Sequence, residues 1–177
     1  PMYRRQRQMC IRDRYKGLIM AILISPMIVP LIITAAGMFF FYARINLVYT
    51  FTGVILAHVA LATPFVVITV TATLVGFDMN MVKAAQSLGA KPMRTFFKVI
   101  MPLILPGIIS GALFAFITSF DEVVIVMFMA SIDQLTIPKQ MWAGIRQEIS
   151  PVILCMATCL VLLSIFLLTT VELLRRR

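Results

Sequence analysis

Two adjacent carboxylates, Asp121 and Glu122, stand in an apolar block that carries no other charge between Pro102 and Met129. An ionisable group inside such a block is expensive and faces a cavity or a partner. Three kinds of chemistry are open to the pair. Protein donors can hold both as a structural unit, both can line a path for a cationic solute, or they can relay protons. Asp121 lies about 12 Å from the outer end of the block at a helical rise of 1.5 Å per residue. His58, the sole histidine, falls in a different apolar block and reads as a hydrogen-bonded packing residue. Cys155 and Cys159 sit four apart in the last block and read as small packing residues; with Cys10 they form no disulfide or metal framework. No H-E-x-x-H, G-x-S-x-G or usefully spaced Cys–His pair is present, so no catalytic residue, metal or cofactor is expected. A G-x-x-x-x-G-K-[ST] phosphate loop is also missing from the sequence, so any ATP hydrolysis belongs to another chain.

The elements that position these groups are legible in the composition. Of 177 residues, 61% are hydrophobic and 13% charged, with a mean hydropathy of +1.00. Soluble domains run at about 45–50% apolar and about 25% charged. The apolar residues gather in four blocks, about 17–43, 51–77, 102–129 and 151–174. Each is long enough to cross a hydrocarbon core of about 30 Å with some tilt. The expected fold is all-α, a polytopic transmembrane helical bundle. Pro26 and Pro30 interrupt the first block and Pro64 the second, breaks that neighbouring helices can absorb. In the third block Gly107, Gly111, Ala115 and Ser119 place a small residue at every fourth position, the pattern that lets another helix approach closely.

Charge sets the expected sidedness. The net charge is +9, from 16 Lys and Arg against 7 Asp and Glu. Arg4, Arg5, Arg7, Arg12, Arg14 and Lys16 precede the first block, Lys83, Lys91, Arg94 and Lys98 lie between the second and third, and Arg175, Arg176 and Arg177 end the chain. All of these fall on one face if every block spans; the other face keeps Arg44, Lys139 and Arg146. The bias predicts that both ends are cytoplasmic and reports topology rather than a nucleic-acid partner. Residues 1–12 differ in character from the remainder of the chain and are expected to be foreign to the domain.

Between the second and third blocks, residues 78–101 read as two short amphipathic helices. Asp78 is placed to cap the first, with Met81, Ala84, Ala85 and Leu88 at helical spacing. Gly89 can stop it and Pro92 can open the second, whose Met93, Phe96, Phe97 and Ile100 share a face apart from Arg94 and Lys98. A solvated connector would have the same periodicity. The spacing of Lys83, Ala84, Ala85, Gly89, Val99, Met101 and Pro102 resembles the "EAA" loop of type-I ABC importer permeases, with Ala84, Ala85, Gly89 and Pro102 matching outright. Lys83 stands where the family usually has Glu. The resemblance, which extends from about Arg14 to Leu174, implies that residues 79–100 couple the membrane domain to an ATP-hydrolysing subunit. It also implies a second permease subunit, a periplasmic or lipid-anchored substrate-binding protein, a bacterial inner-membrane location within membrane lipid, and two further spans upstream of the four.

Ser119-Phe120-Asp121-Glu122-Val123-Val124 is similar to the corresponding stretch of spermidine/putrescine permeases, as are Ile137–Trp142 and Arg146–Pro151. That likeness implies a polyamine importer working by alternating access, with Asp121 and Glu122 on the solute path. A permease of the same fold for iron or an oxyanion, and a secondary carrier or channel for a small cation, are the competing readings. The outer connector, residues 130–150, can meet a binding protein or simply re-enter the membrane.

Overall fold

The computed structural model describes residues 2–147 and 150–175, and among these every regular element is helical. They are α1 (Met2–Ile28), α2 (Leu31–Arg44), α3 (Phe51–Val75), α4 (Met79–Ser87), α5 (Pro92–Thr95), a π-helical turn (Phe96–Ile100), α6 (Met101–Phe120), α7 (Val124–Met129), α8 (Ile137–Gln147) and α9 (Pro151–Arg175). Three helices are long and apolar enough to cross a membrane, Phe51–Val75, Pro92–Phe120 and Pro151–Thr170. A fourth crossing is available only from a bent pair.

That pair corrects the first block, which is not one continuous helix. Tyr15–Ile28 and Leu31–Arg44 meet at 109°. The break falls at Val29 and Pro30, because Pro30 has no N–H to continue α1 and disfavours helical backbone at the residue before it. Pro30 is extended (φ −53°, ψ 132°), and its carbonyl accepts the N–H groups of Ile33 and Thr34 at 2.9 and 3.1 Å to start α2. Pro26 stays inside α1 without ending it.

The third block is also broken, and its helix is shifted. The long helix begins at Pro92, within the stretch read as a connector, and stops at Phe120. Residues 121–123 leave the helix, and the short α7 comes next. The segment expected to be a separate second coupling helix is therefore continuous with the span. The join is the π-helical turn, where the Met101 N–H reaches the carbonyl of Phe96, five residues back. Thr95, at its start, is buried, and its hydroxyl has no hydrogen-bond partner among the described residues.

The core lies among α2, α3 and α7, where Ala35, Ala57, Leu61, Ile125 and Met129 are buried together. Phe39, Tyr42 and Val54 pack around them. A strap ties this core to the α2–α3 turn. Tyr49 has φ 62°, a left-handed backbone uncommon for a bulky residue. Its N–H donates to the Met129 carbonyl at 2.9 Å, and its own carbonyl accepts from Gln134 Nε2 at 3.1 Å. Thr50 then caps α3, its Oγ1 accepting the Gly53 N–H at 3.0 Å.

α3 and α6 form the most extensive helix pair. Gly107 lies against the hydroxyl of Thr73 and the Thr69 carbonyl, and Gly111 against Thr69 Oγ1 and the Val66 Cα. Both threonine hydroxyls are turned onto their own helix, Thr69 Oγ1 to the Phe65 carbonyl and Thr73 Oγ1 to the Thr69 carbonyl, each at 2.9 Å. Among the described residues, that arrangement leaves no buried side-chain polar atom unpaired at the contact. Ala115 is half-buried further along α6. By contrast, no residue in the most apolar stretch of α9 is fully buried within this chain.

Candidate coupling loop and membrane carboxylates

The loop after α3 is built by local chemistry. Asp78 Oδ1 accepts the Asn80 N–H at 2.9 Å and starts α4. At the other end the Gly89 N–H bonds the Gln86 carbonyl at 2.9 Å and the Ala90 N–H bonds the Ala85 carbonyl at 3.0 Å. This pair of bonds is a Schellman motif, which places its C′ residue in left-handed backbone; Gly89 has φ 78°. Pro92 occupies the first turn of α5, where its missing N–H is no loss.

α4 contacts only the start of the long helix to any extent, so much of its surface is open. Leu88 is 89% exposed, and Met81, Met93 and Phe97 are exposed as well. Lys83, Ala84, Gly89 and Pro102 are exposed or partly exposed as well, while Ala85 is half-buried. Lys83, Lys91, Arg94 and Lys98 are exposed in the same segment, so the loop presents both apolar and basic surface.

The two carboxylates occupy different environments. Asp121 is the C-cap residue of α6 and is exposed, lining a cavity of about 330 Å³ with Phe116, Phe120, Leu160 and Ser164. Glu122 is only 6% exposed, and its Oε1 accepts the Ile125 N–H at 2.8 Å. That bond satisfies one of the donors left open at the start of α7, so Glu122 restarts the chain as helix after the break.

His58 and Ser119 join α3 to α6 one turn before that break, with Nδ1 and Oγ 2.8 Å apart. They line a larger cavity, about 590 Å³, with Val54, Phe116, Phe120 and Thr136. Phe116 and Phe120 are stacked with ring centres 5.5 Å apart and border both cavities. Sequence reasoning passed over this aromatic pair, although an i,i+4 spacing next to a charged residue was its signal. Among the described residues no group of three or more His, Cys, Asp and Glu side chains is placed to hold a metal. Cys155 and Cys159 are free and exposed.

Three long apolar helices, one of them continuous with a surface loop, and a bent helix pair of the same character are the build of a multi-pass membrane protein. Residues 9–177 match the binding-protein-dependent transport system inner membrane component family, and the chain belongs to it. The match includes the end of the stretch expected to be foreign. The spermidine/putrescine transport system permease protein PotC of Haemophilus influenzae is 30% identical over 166 residues, covering 94% of this chain and 65% of that protein. PotC of Escherichia coli K12 is 29% identical over 165 residues, with coverages of 93% and 62%. The putrescine transport system permease protein PotI of E. coli K12 is 37% identical over 103 residues, 58% of this chain and 37% of that protein. The chain thus spans 62–65% of the length of the PotC relatives. It is a multi-pass inner-membrane protein of a transport family.

Proposed function

We propose that this chain forms part of a permease subunit of an ATP-driven, binding-protein-dependent importer for polyamines. The observation that carries the reading is the exposed α4 face, joined through a tight glycine turn to one helix that runs from the loop to the break at Asp121. In this reading the α4 face docks on an ATP-hydrolysing subunit, a second permease subunit completes the solute path, and a substrate-binding protein meets the opposite side. Both ends of the chain are cytoplasmic, in keeping with the distribution of Lys and Arg. Lys83, Ala84, Ala85, Gly89 and Pro102 belong to the docking and coupling region. Lys83 brings a cation where related loops carry an anion, so the partner offers an acceptor at that point. Asp121 faces the solute, with the Phe116 and Phe120 rings beside it suited to ammonium groups and methylene chains. The names of the PotC and PotI relatives support the choice of solute.

The test is uptake of labelled spermidine by the full-length permease reconstituted with its partner subunits. ATP-dependent uptake, indifferent to a protonophore, is expected. Uptake that needs no ATP and collapses with the ion gradient would overturn the importer reading in favour of a secondary carrier. Gly89→Val supplies a second check. A β-branched side chain is strongly disfavoured at φ 78°, yet nothing lies within 4 Å to clash with it. The substitution therefore acts on the turn, and uptake per ATP hydrolysed is expected to fall at least roughly tenfold with the protein still inserted, as about 1.4 kcal/mol of turn strain would give. Normal uptake by this variant would remove Gly89 from the coupling region.

A further inference from the structure

We propose that α8 carries a binding site for the phosphate group of an anionic membrane lipid, on the membrane face opposite the α4 loop. α8 connects α6, through α7, to α9; with both long helices crossing, it falls on the far side from α4. That face is poor in positive charge, and Arg44, Lys139 and Arg146 are its basic residues. Two of the three line a single cavity of about 340 Å³, together with Met127, Trp142 and Ala143. No carboxylate lines it among the described residues.

The cavity is assembled by the helix register. Lys139 and Arg146 are two turns apart, and Trp142 lies between them on the same face. Lys139 Nζ donates to the Ala130 carbonyl at 3.3 Å. Ala130 is buried at the end of α7, so the ammonium is tied to a fixed point of the core. An ammonium has three donors, and this bond uses one. Trp142 is half-exposed, with Ile137 and Ile145 also exposed on α8. An indole with aliphatic neighbours on an amphipathic helix settles at the headgroup level of a bilayer. Two cations gathered in one cavity repel each other and favour an anion between them. At that depth the anion present at high concentration is the lipid phosphodiester, whose acyl chains would continue along Trp142 and Met127. A free phosphate would satisfy the cations but leave this apolar wall unused.

The experiment uses the intact transporter complex, purified and placed in nanodiscs of phosphatidylcholine with or without phosphatidylglycerol, and bound lipid is counted by native mass spectrometry. The wild type is expected to retain phosphatidylglycerol over phosphatidylcholine roughly 30-fold, the preference that two basic residues give at an anionic surface. The double variant Lys139→Gln, Arg146→Gln should lose it, and Lys139→Arg, Arg146→Lys should keep it. Equal retention by the wild type and the Gln variant overturns the proposal. So does competition by inorganic phosphate at millimolar concentration, which would mean a soluble anion site. Unchanged lipid retention with impaired stimulation by the binding protein would also overturn it, by assigning the two cations to a protein surface. A Gln variant that fails to assemble is replaced by Trp142→Ala, which keeps both charges and is expected to shorten lipid residence while leaving the phosphatidylglycerol preference in place. Unchanged residence in that variant counts against the site.

Discussion

Gly111→Leu is expected to separate α3 from α6 and to abolish transport by loss of the folded membrane domain. A Cβ at Gly111 would stand 2.5 Å from Thr69 Oγ1 and 3.1 Å from the Val66 Cα. The threonine cannot swing aside freely, because its hydroxyl is bonded within α3 and its β-branched side chain has few rotamers. The α-carbon of Val66 can yield only if the whole helix moves. Overpacking a fitted contact costs about 1–3 kcal/mol, more when backbone is displaced, and Leu adds four carbons rather than one. The thermal midpoint of the purified complex should fall sharply, and Gly111→Ala should fall less. Gly37→Leu is the control, since nothing lies within 4 Å of that position on α2. Equal melting of the Gly111→Leu and Gly37→Leu proteins would show that the α3–α6 contact does not hold the domain together.

The second large effect separates the neighbouring carboxylates. Asp121→Asn should leave protein level and melting unchanged, because Asp121 is exposed and its side chain makes no hydrogen bond among the described residues. In the proposed importer it should lower spermidine uptake roughly tenfold or more, the loss expected when a charge-assisted bond worth about 1.5–3 kcal/mol goes. Glu122→Ala should do the reverse. It strips the acceptor from the buried Ile125 N–H, a loss of about 1–3 kcal/mol that loosens α7 from the α2–α3 core. Glu122→Gln retains an acceptor and should recover most of that stability. Uptake and melting measured on all three proteins check the assignment. If Glu122→Ala melts normally while Asp121→Asn does not, the two roles are exchanged.

The sequence states some of this arrangement plainly. Asp78, Gly89 and Pro92 are read correctly as start, stop and restart because caps and turns depend on residues within one or two helical turns. The stripe at Gly107 and Gly111 is legible as a close contact, but its partner is not, since Thr69 and Thr73 lie on another helix and nothing local links them. The breaks are harder. Val29–Pro30 and Asp121–Val123 lie inside long apolar runs, and hydropathy cannot tell one crossing from two bent pieces. The clue at the second break is Glu122 three residues before Ile125, a capping signal obscured by its own charge. Reading both carboxylates as one pair comes from sequence adjacency, whereas the end of α6 sends one to the surface and one to the core.

The continuity of Pro92–Phe120 through its π-helical turn has a mechanical consequence. At 1.5 Å per residue the helix is about 43 Å long, and its close approach to α3 at Gly107 falls about 22 Å from one end and about 20 Å from the other. His58 on α3 and Ser119 on α6 join the same two helices again near the far end, with Nδ1 and Oγ 2.8 Å apart. The long helix is therefore pinned to α3 at two depths, and the two helices form one unit between the loop and the break at Asp121.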